Sequence, residues 1–226
     1  MMFDPLYWIV IGVGMILSMG ASGWVKNKVH KWQDVGLDSG MTGRDVARAI
    51  LQKKGISDVT IEVSDGWLSD HYDPSSKTLR LSLDNYEGRS VTAAGIAAHE
   101  VGHALQHQEG YLPMTIRQKM VPVANIGTNL GVWLVILGLV LGTMGLAKIG
   151  VVLFGGAVVF TLVTLPVEFN ASFRARDTLE QYGIVTVDEL DGVKEVLIAA
   201  AATYLAAAIT SILQLLYFVF RVYGRD

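Results

Sequence analysis

The sequence predicts a mainly α integral membrane protein, with about four transmembrane helices and a small α+β domain built around one unusual helix. Three observations predict it. Apolar residues fill 51% of the 226 positions and the mean hydropathy is +0.41, high for a chain that folds in water. Four apolar runs, residues 5–25, about 126–147, 149–167 and about 196–222, are each long enough to cross a bilayer. Between the first two lies a stretch of ordinary soluble composition containing His99-Glu100-Val101-Gly102-His103.

Composition also excludes. The chain has no cysteine, so disulfides, thiolate metal cages and thiol nucleophiles are absent together. A net charge of −3 gives no basic surface for nucleic acid.

The elements follow in order. Residues 1–25 read as a retained transmembrane anchor, because no basic segment precedes the apolar run and no small-residue cleavage site follows it. Residues 26–120 read as the polar, site-bearing segment. Thr42 is a plausible cap for a helix over 43–54, with Val46, Ala47, Ile50 and Leu51 on one stripe and Gly55 closing it. Residues 59–63 and 78–83 alternate and are rich in β-branched side chains, so they read as strands. Asp65-Gly66 and Asp73-Pro74 read as turns. Ser90 offers an N-cap oxygen for a helix over 91–108. Residues 121–167 hold two transmembrane helices, with Lys148 marking the tight turn between them. Residues 168–195 form a polar helical segment, and 196–226 a last transmembrane helix and tail.

Lys and Arg set the orientation. Lys26, Lys28 and Lys31 follow the first span, Arg117 and Lys119 precede the second, and Arg174, Arg176 and Lys194 follow the third. All three clusters place the polar segments in the cytoplasm; Arg221 and Arg225 dissent. Residues near 99–103 and 168–195 then lie on one side of the membrane.

H-E-x-x-H carries the chemistry. Residues four apart share one face of a helix, so His99 and His103 can each give a ring nitrogen to one Zn²⁺. Glu100 then sits where it can take a proton from the attacking water. With no cysteine, a third ligand must be His, Asp or Glu. His107 lies roughly 12 Å along the axis from His99, too far to share the ion. The metzincin pattern is excluded, because Gln106 and Glu109 stand where Gly and His would be needed. Glu168 is the best candidate: a carboxylate at the end of an apolar run is costly unless paired or metal-bound. Such a His-His-Glu set is of the gluzincin type. Asp191, in Leu190-Asp191-Gly192, is similar to the aspartate of site-2-type intramembrane proteases. It lies among Asp188, Glu189, Lys194 and Glu195 and reads as solvated.

These residues also resemble a known family. Thr42-Gly43, Asp70-His71-Tyr72-Asp73-Pro74, the run from Ala97 to Gly110, Val121-Pro122-Val123-Ala124-Asn125 and Thr164 to Ser172 are similar to the YugP-like neutral zinc metallopeptidases of bacterial membranes. The resemblance implies one catalytic zinc, peptidase chemistry, a zincin-like domain and the bacterial inner membrane. A more distant likeness is to HtpX-type membrane proteases, where an Asp four positions after the ligand glutamate supports the site. Here that position is Ser172, which leaves Asn170 or Asp177 as substitutes.

The expected function is hydrolysis of peptide or membrane-protein substrates at the bilayer, with His71, Tyr72, His107 and Arg174 as candidate substrate or transition-state contacts. The strand at 78–83 is expected to offer its edge to an extended substrate. Regulation by a partner is left open by the sequence. The alternatives are a membrane scaffold with a structural zinc, closed by a fourth protein ligand, or a site-2-type protease whose H-E-x-x-H lies inside the bilayer.

Overall fold

The computed structural model describes residues 4–224; the dissenting Arg225 lies outside them. The chain is mainly helical, with one small sheet. In order, its elements are α1 (Pro5–Gln33), α2 (Gly43–Lys53), β1 (Thr60–Ser64), β2 (His71–Asp73), β3 (Thr78–Ser82), α3 (Leu83–Tyr86), α4 (Val91–Gln108) and α5 (Leu112–Ile126). A π-helical turn (Gly127–Gly131) then leads into α6 (Val132–Val140), α7 (Met144–Gln181) and α8 (Val187–Tyr223). Four helical stretches are long and apolar enough to cross a membrane: Pro5–Gln33, Leu112–Val140, Met144–Gln181 and Val187–Tyr223. The second begins before Arg117 and Lys119, so those two cations belong to its first turns.

Two compact units emerge. The first comprises residues 4–22, 112–166 and 202–224 and is wholly helical. Its core gathers Val135, Val151, Phe154, Val158, Tyr217, Phe218 and Val222. Within it α6 and α7 approach backbone to backbone. A Cβ on Gly150 would meet the Val135 nitrogen at 2.5 Å, and one on Gly131 the Phe154 nitrogen at 2.8 Å. Small residues at such crossings are what apolar helices need when lipid gives no hydrophobic drive to associate. The turn between α6 and α7 falls at Gly142, whose φ of +69° suits glycine. The Thr143 N–H closes it by donating to the Gly138 carbonyl at 2.8 Å. Lys148 is therefore inside α7 and not at the turn. Its Nζ lies over the Tyr223 ring, 5.3 Å from the centroid.

The second unit comprises residues 23–111 and 167–201. Thr42 and Asp45 form a reciprocal capping box at α2. The helix buries Val46, Ala47, Ile50 and Leu51, much of that face against α4. Gly55 follows with φ +71°, as the expected closing residue. The sheet has the order β1-β3-β2, with β1 parallel to β3 and β2 antiparallel to it. This corrects two expectations. The strand at 78–82 is central, with Leu79 and Leu81 fully buried, so it has no edge to offer. His71-Tyr72-Asp73, expected as part of a turn, is an edge strand, because β3 supplies a partner for its backbone (His71 with Arg80, Tyr72 with Leu79).

Candidate metal centre

The centre is assembled by α4 and the last part of α7, within the second unit. Ser90 starts α4 by accepting from the Ala93 N–H at 3.1 Å. One helical turn apart, the His99 and His103 rings meet edge to face with centroids 4.8 Å apart. α7 passes α4 at Ala171, and Gly102 permits the approach. A Cβ at position 102 would lie 2.6 Å from the Ala171 carbonyl oxygen and 3.1 Å from its Cα. Glu168, one turn earlier on α7, therefore reaches both rings. Its Oε2 lies 3.3 Å from His99 Nε2 and 3.6 Å from His103 Nε2. One donor atom from each of the three residues falls within 4.8 Å of the others. Glu168 and His103 are buried, at 2% and 7% exposed.

The far sides of the rings are also held. Ser172 Oγ lies 3.2 Å from His99 Nδ1, so the residue that replaces the expected Asp occupies the supporting position itself. Gln106 Oε1 lies 3.0 Å from His103 Nδ1. Gln106 is fully buried; its amide nitrogen donates to the Val167 carbonyl at 2.8 Å and to Asn170 Oδ1 at 3.0 Å.

Glu100 is buried beside the pair. Burial lifts its pKa above the usual carboxylate range, against the pull of both imidazoles. Burial works against charge on His103, but the carboxylates of Glu168 and Glu100 outweigh it and raise that pKa.

The other expected contacts are placed elsewhere. The His71 ring bonds the Ser69 carbonyl through Nδ1 at 2.8 Å, and its side is exposed. The Tyr72 hydroxyl meets His107 Nδ1 at 2.9 Å. Burial, with the charges of Asp58 and Asp73, pushes that hydroxyl's pKa up to about 12, so it stays protonated. Arg174 donates to Asn170 Oδ1 at 2.7 Å and to Glu109 at 2.8 Å. Asp191 pairs with Lys194 at 2.7 Å and its side chain is 66% exposed. Asp177 is exposed and takes no part in the cluster. The sequence reading missed Gln106 as a support and Gly102 as the residue that brings the helices together. The i, i+3 step from His103 to Gln106 was the one available signal.

Residues 7–223 match the family described as "Putative neutral zinc metallopeptidase". The chain belongs to this neutral zinc metallopeptidase family. A relative in Bacillus subtilis (strain 168), described as "Putative membrane protease YugP", is 45% identical over 216 residues, covering 93% of this chain and 96% of the relative. No solved structure matches.

Membership of a zinc metallopeptidase family raises a question of fit, which the donor spacing answers. Bonds of about 2.0–2.1 Å in a tetrahedral shell put neighbouring donors about 3.3–3.4 Å apart. The separations of 3.3 and 3.6 Å from Glu168 Oε2 to the two Nε2 atoms are of that size. Two imidazoles and one carboxylate are also the donor chemistry of catalytic zinc. The family's ion fits the residues of this family member.

Proposed function

We propose that this protein is a membrane-embedded zinc endopeptidase in which His99, His103 and Glu168 hold one ion and Glu100 is the general base. The observation that carries the reading is the convergence of both Nε2 atoms on one Glu168 oxygen, while both Nδ1 atoms face other partners. Among the described residues no fourth His, Asp or Glu joins this group. That supports a catalytic site over a closed structural one, which takes four protein ligands.

Zinc held there supplies a Lewis acid that makes water nucleophilic near neutral pH. The chain's own residues do the rest. Glu100 takes the proton of the attacking water and passes it to the leaving amine. Its burial, which lifts the pKa, suits a group that must both accept and return a proton. β2 is an edge strand in contact with α4, and its unpaired side gives an extended peptide backbone a strand to pair with. His71, Tyr72 and His107 lie on or beside that edge and are candidates for substrate contact. The substrate is a peptide or a membrane protein. The lysine and arginine clusters support a cytoplasmic catalytic segment, and the likeness to a bacterial membrane protease supports a bacterial inner membrane.

The test is metal content and proteolysis on one preparation. Wild type carries one zinc per chain and cleaves a casein or peptide substrate. Glu100→Gln keeps the zinc and loses at least a hundredfold in kcat. Wild type without stoichiometric metal sinks the reading.

A further inference from the structure

Each ring nitrogen that faces the candidate ion must present a lone pair, so its neighbour across the ring must carry the proton. Which nitrogen carries it is set by the partner of that neighbour. For His103 the partner's polarity can be derived without assuming any hydrogen position. Arginine has donors only. The Arg174 Nε–H points at Asn170 from 2.7 Å, so the Asn170 atom there is the carbonyl oxygen. That same oxygen faces the Gln106 amide at 3.0 Å, so the Gln106 atom there is nitrogen. The Val167 backbone carbonyl, which can only accept, demands the same orientation from 2.8 Å. The remaining Gln106 atom is oxygen, an acceptor, 3.0 Å from His103 Nδ1. Nδ1 must then donate, and Nε2, 3.6 Å from the Glu168 carboxylate, is the nitrogen whose lone pair would go to the ion, with Glu168 competing to hold a proton there until the metal binds.

His99 differs. Its Nδ1 faces the Ser172 hydroxyl at 3.2 Å, and a hydroxyl can give or take a proton. Ser172 therefore tolerates either tautomer.

We infer that Gln106 is a positioning residue that fixes His103 in its zinc-binding tautomer before the metal arrives, with Asn170 and Arg174 holding Gln106 in register. The inference rests on the zinc reading above and adds the residue that prepares one ligand. It gives Arg174 a task within the protein, at the start of a hydrogen-bond chain running Arg174, Asn170, Gln106, His103.

The experiment uses the full chain in detergent with ¹⁵N-labelled histidine, stripped of metal by chelation, at a pH where the rings are neutral. Long-range ¹H–¹⁵N correlation reads the tautomer of each ring, assigned by single His→Asn variants. His103 is expected as the Nδ1–H form in metal-free wild type, whereas Gln106→Leu shifts it toward a mixture. Zinc competition against a chelator is expected to show Kd about 10- to 100-fold weaker for Gln106→Leu and a smaller loss for Ser172→Ala. Wild-type His103 found as Nε2–H, or as a mixture of the two tautomers, overturns the inference. A tautomer unchanged in Gln106→Leu overturns it as well. Zinc stoichiometry in the same wild-type sample tests the underlying reading separately.

Discussion

Gly102→Ala tests how the centre is held together. The added methyl would sit 2.6 Å from the Ala171 carbonyl oxygen and 3.1 Å from its Cα. Both are backbone atoms of a long helix and cannot rotate away. Relief to the 3.0–3.4 Å range requires α4 and α7 to part by about 0.4–0.8 Å. Helix propensity alone favours alanine by about 1 kcal/mol; overpacking costs about 1–3 kcal/mol, so destabilisation should win. The same parting carries Glu168 away from the rings. Separations of 3.3 and 3.6 Å would widen toward 4 Å, against the about 3.3–3.4 Å that one tetrahedral ion spans. The zinc Kd is expected to weaken at least tenfold, measured by chelator competition, with a lower Tm in the same preparation. Gly95→Ala is the control. Its methyl would meet only the Val193 side chain, at 3.3 Å, and should change zinc binding little. Wild-type zinc affinity and Tm in Gly102→Ala would refute the claim that close helix approach assembles the site.

Glu168→Ala should lose zinc as well as activity, whereas Glu100→Gln should lose activity alone; metal analysis beside a peptidase assay separates them. Chelation should lower stability by about 2.7 kcal/mol relative to protein holding free zinc at a hundredfold excess over Kd, read as a reversible fall in Tm. Asp70 is half-buried, and that loss of water raises its pKa despite hydrogen bonds from Ser82 and Asn85. A raised folded pKa contributes stability below the unfolded value and loses it as pH rises through the folded one. The stability of Asp70→Asn minus that of wild type should therefore grow as pH climbs above about 4; a pH-independent difference would contradict this. Gly150→Val should disrupt the α6–α7 pair, since the side chain would meet the Val135 backbone nitrogen. Wild-type Tm and yield in detergent would count against that packing.

Much of the site could be read from local spacing. Two histidines four apart and a capping serine define a helix face without any tertiary knowledge. Glu168 was legible because a carboxylate at the end of an apolar run needs a partner. What escaped was set by contacts distant in sequence. Gln106 looks like an ordinary helix former until Val167 and Asn170 arrive from α7. Gly102 reads as a filler inside the motif, and only the nearness of Ala171 gives it a purpose. Three residues of β2 carry too little alternation to declare a strand, and the pairing that makes them one comes from β3. Nor does local pattern reveal which strand is central, because β1 and β3 pair in parallel across β2 in the sequence. The turn before α7 was within reach: Gly142 supplied the signal, and the charge of Lys148 drew the boundary six residues late.

Ser172 has one more consequence. With the proposed divalent ion on His99, His103 and Glu168 and Glu100 ionised, the charges of this pocket would sum to zero. An aspartate at position 172 would leave that pocket with a surplus negative charge in a region poor in water, where an uncompensated charge is costly. The neutral hydroxyl that stands behind His99 would keep the loaded pocket electroneutral, so that no extra anion would blunt the ion's field on an incoming carbonyl.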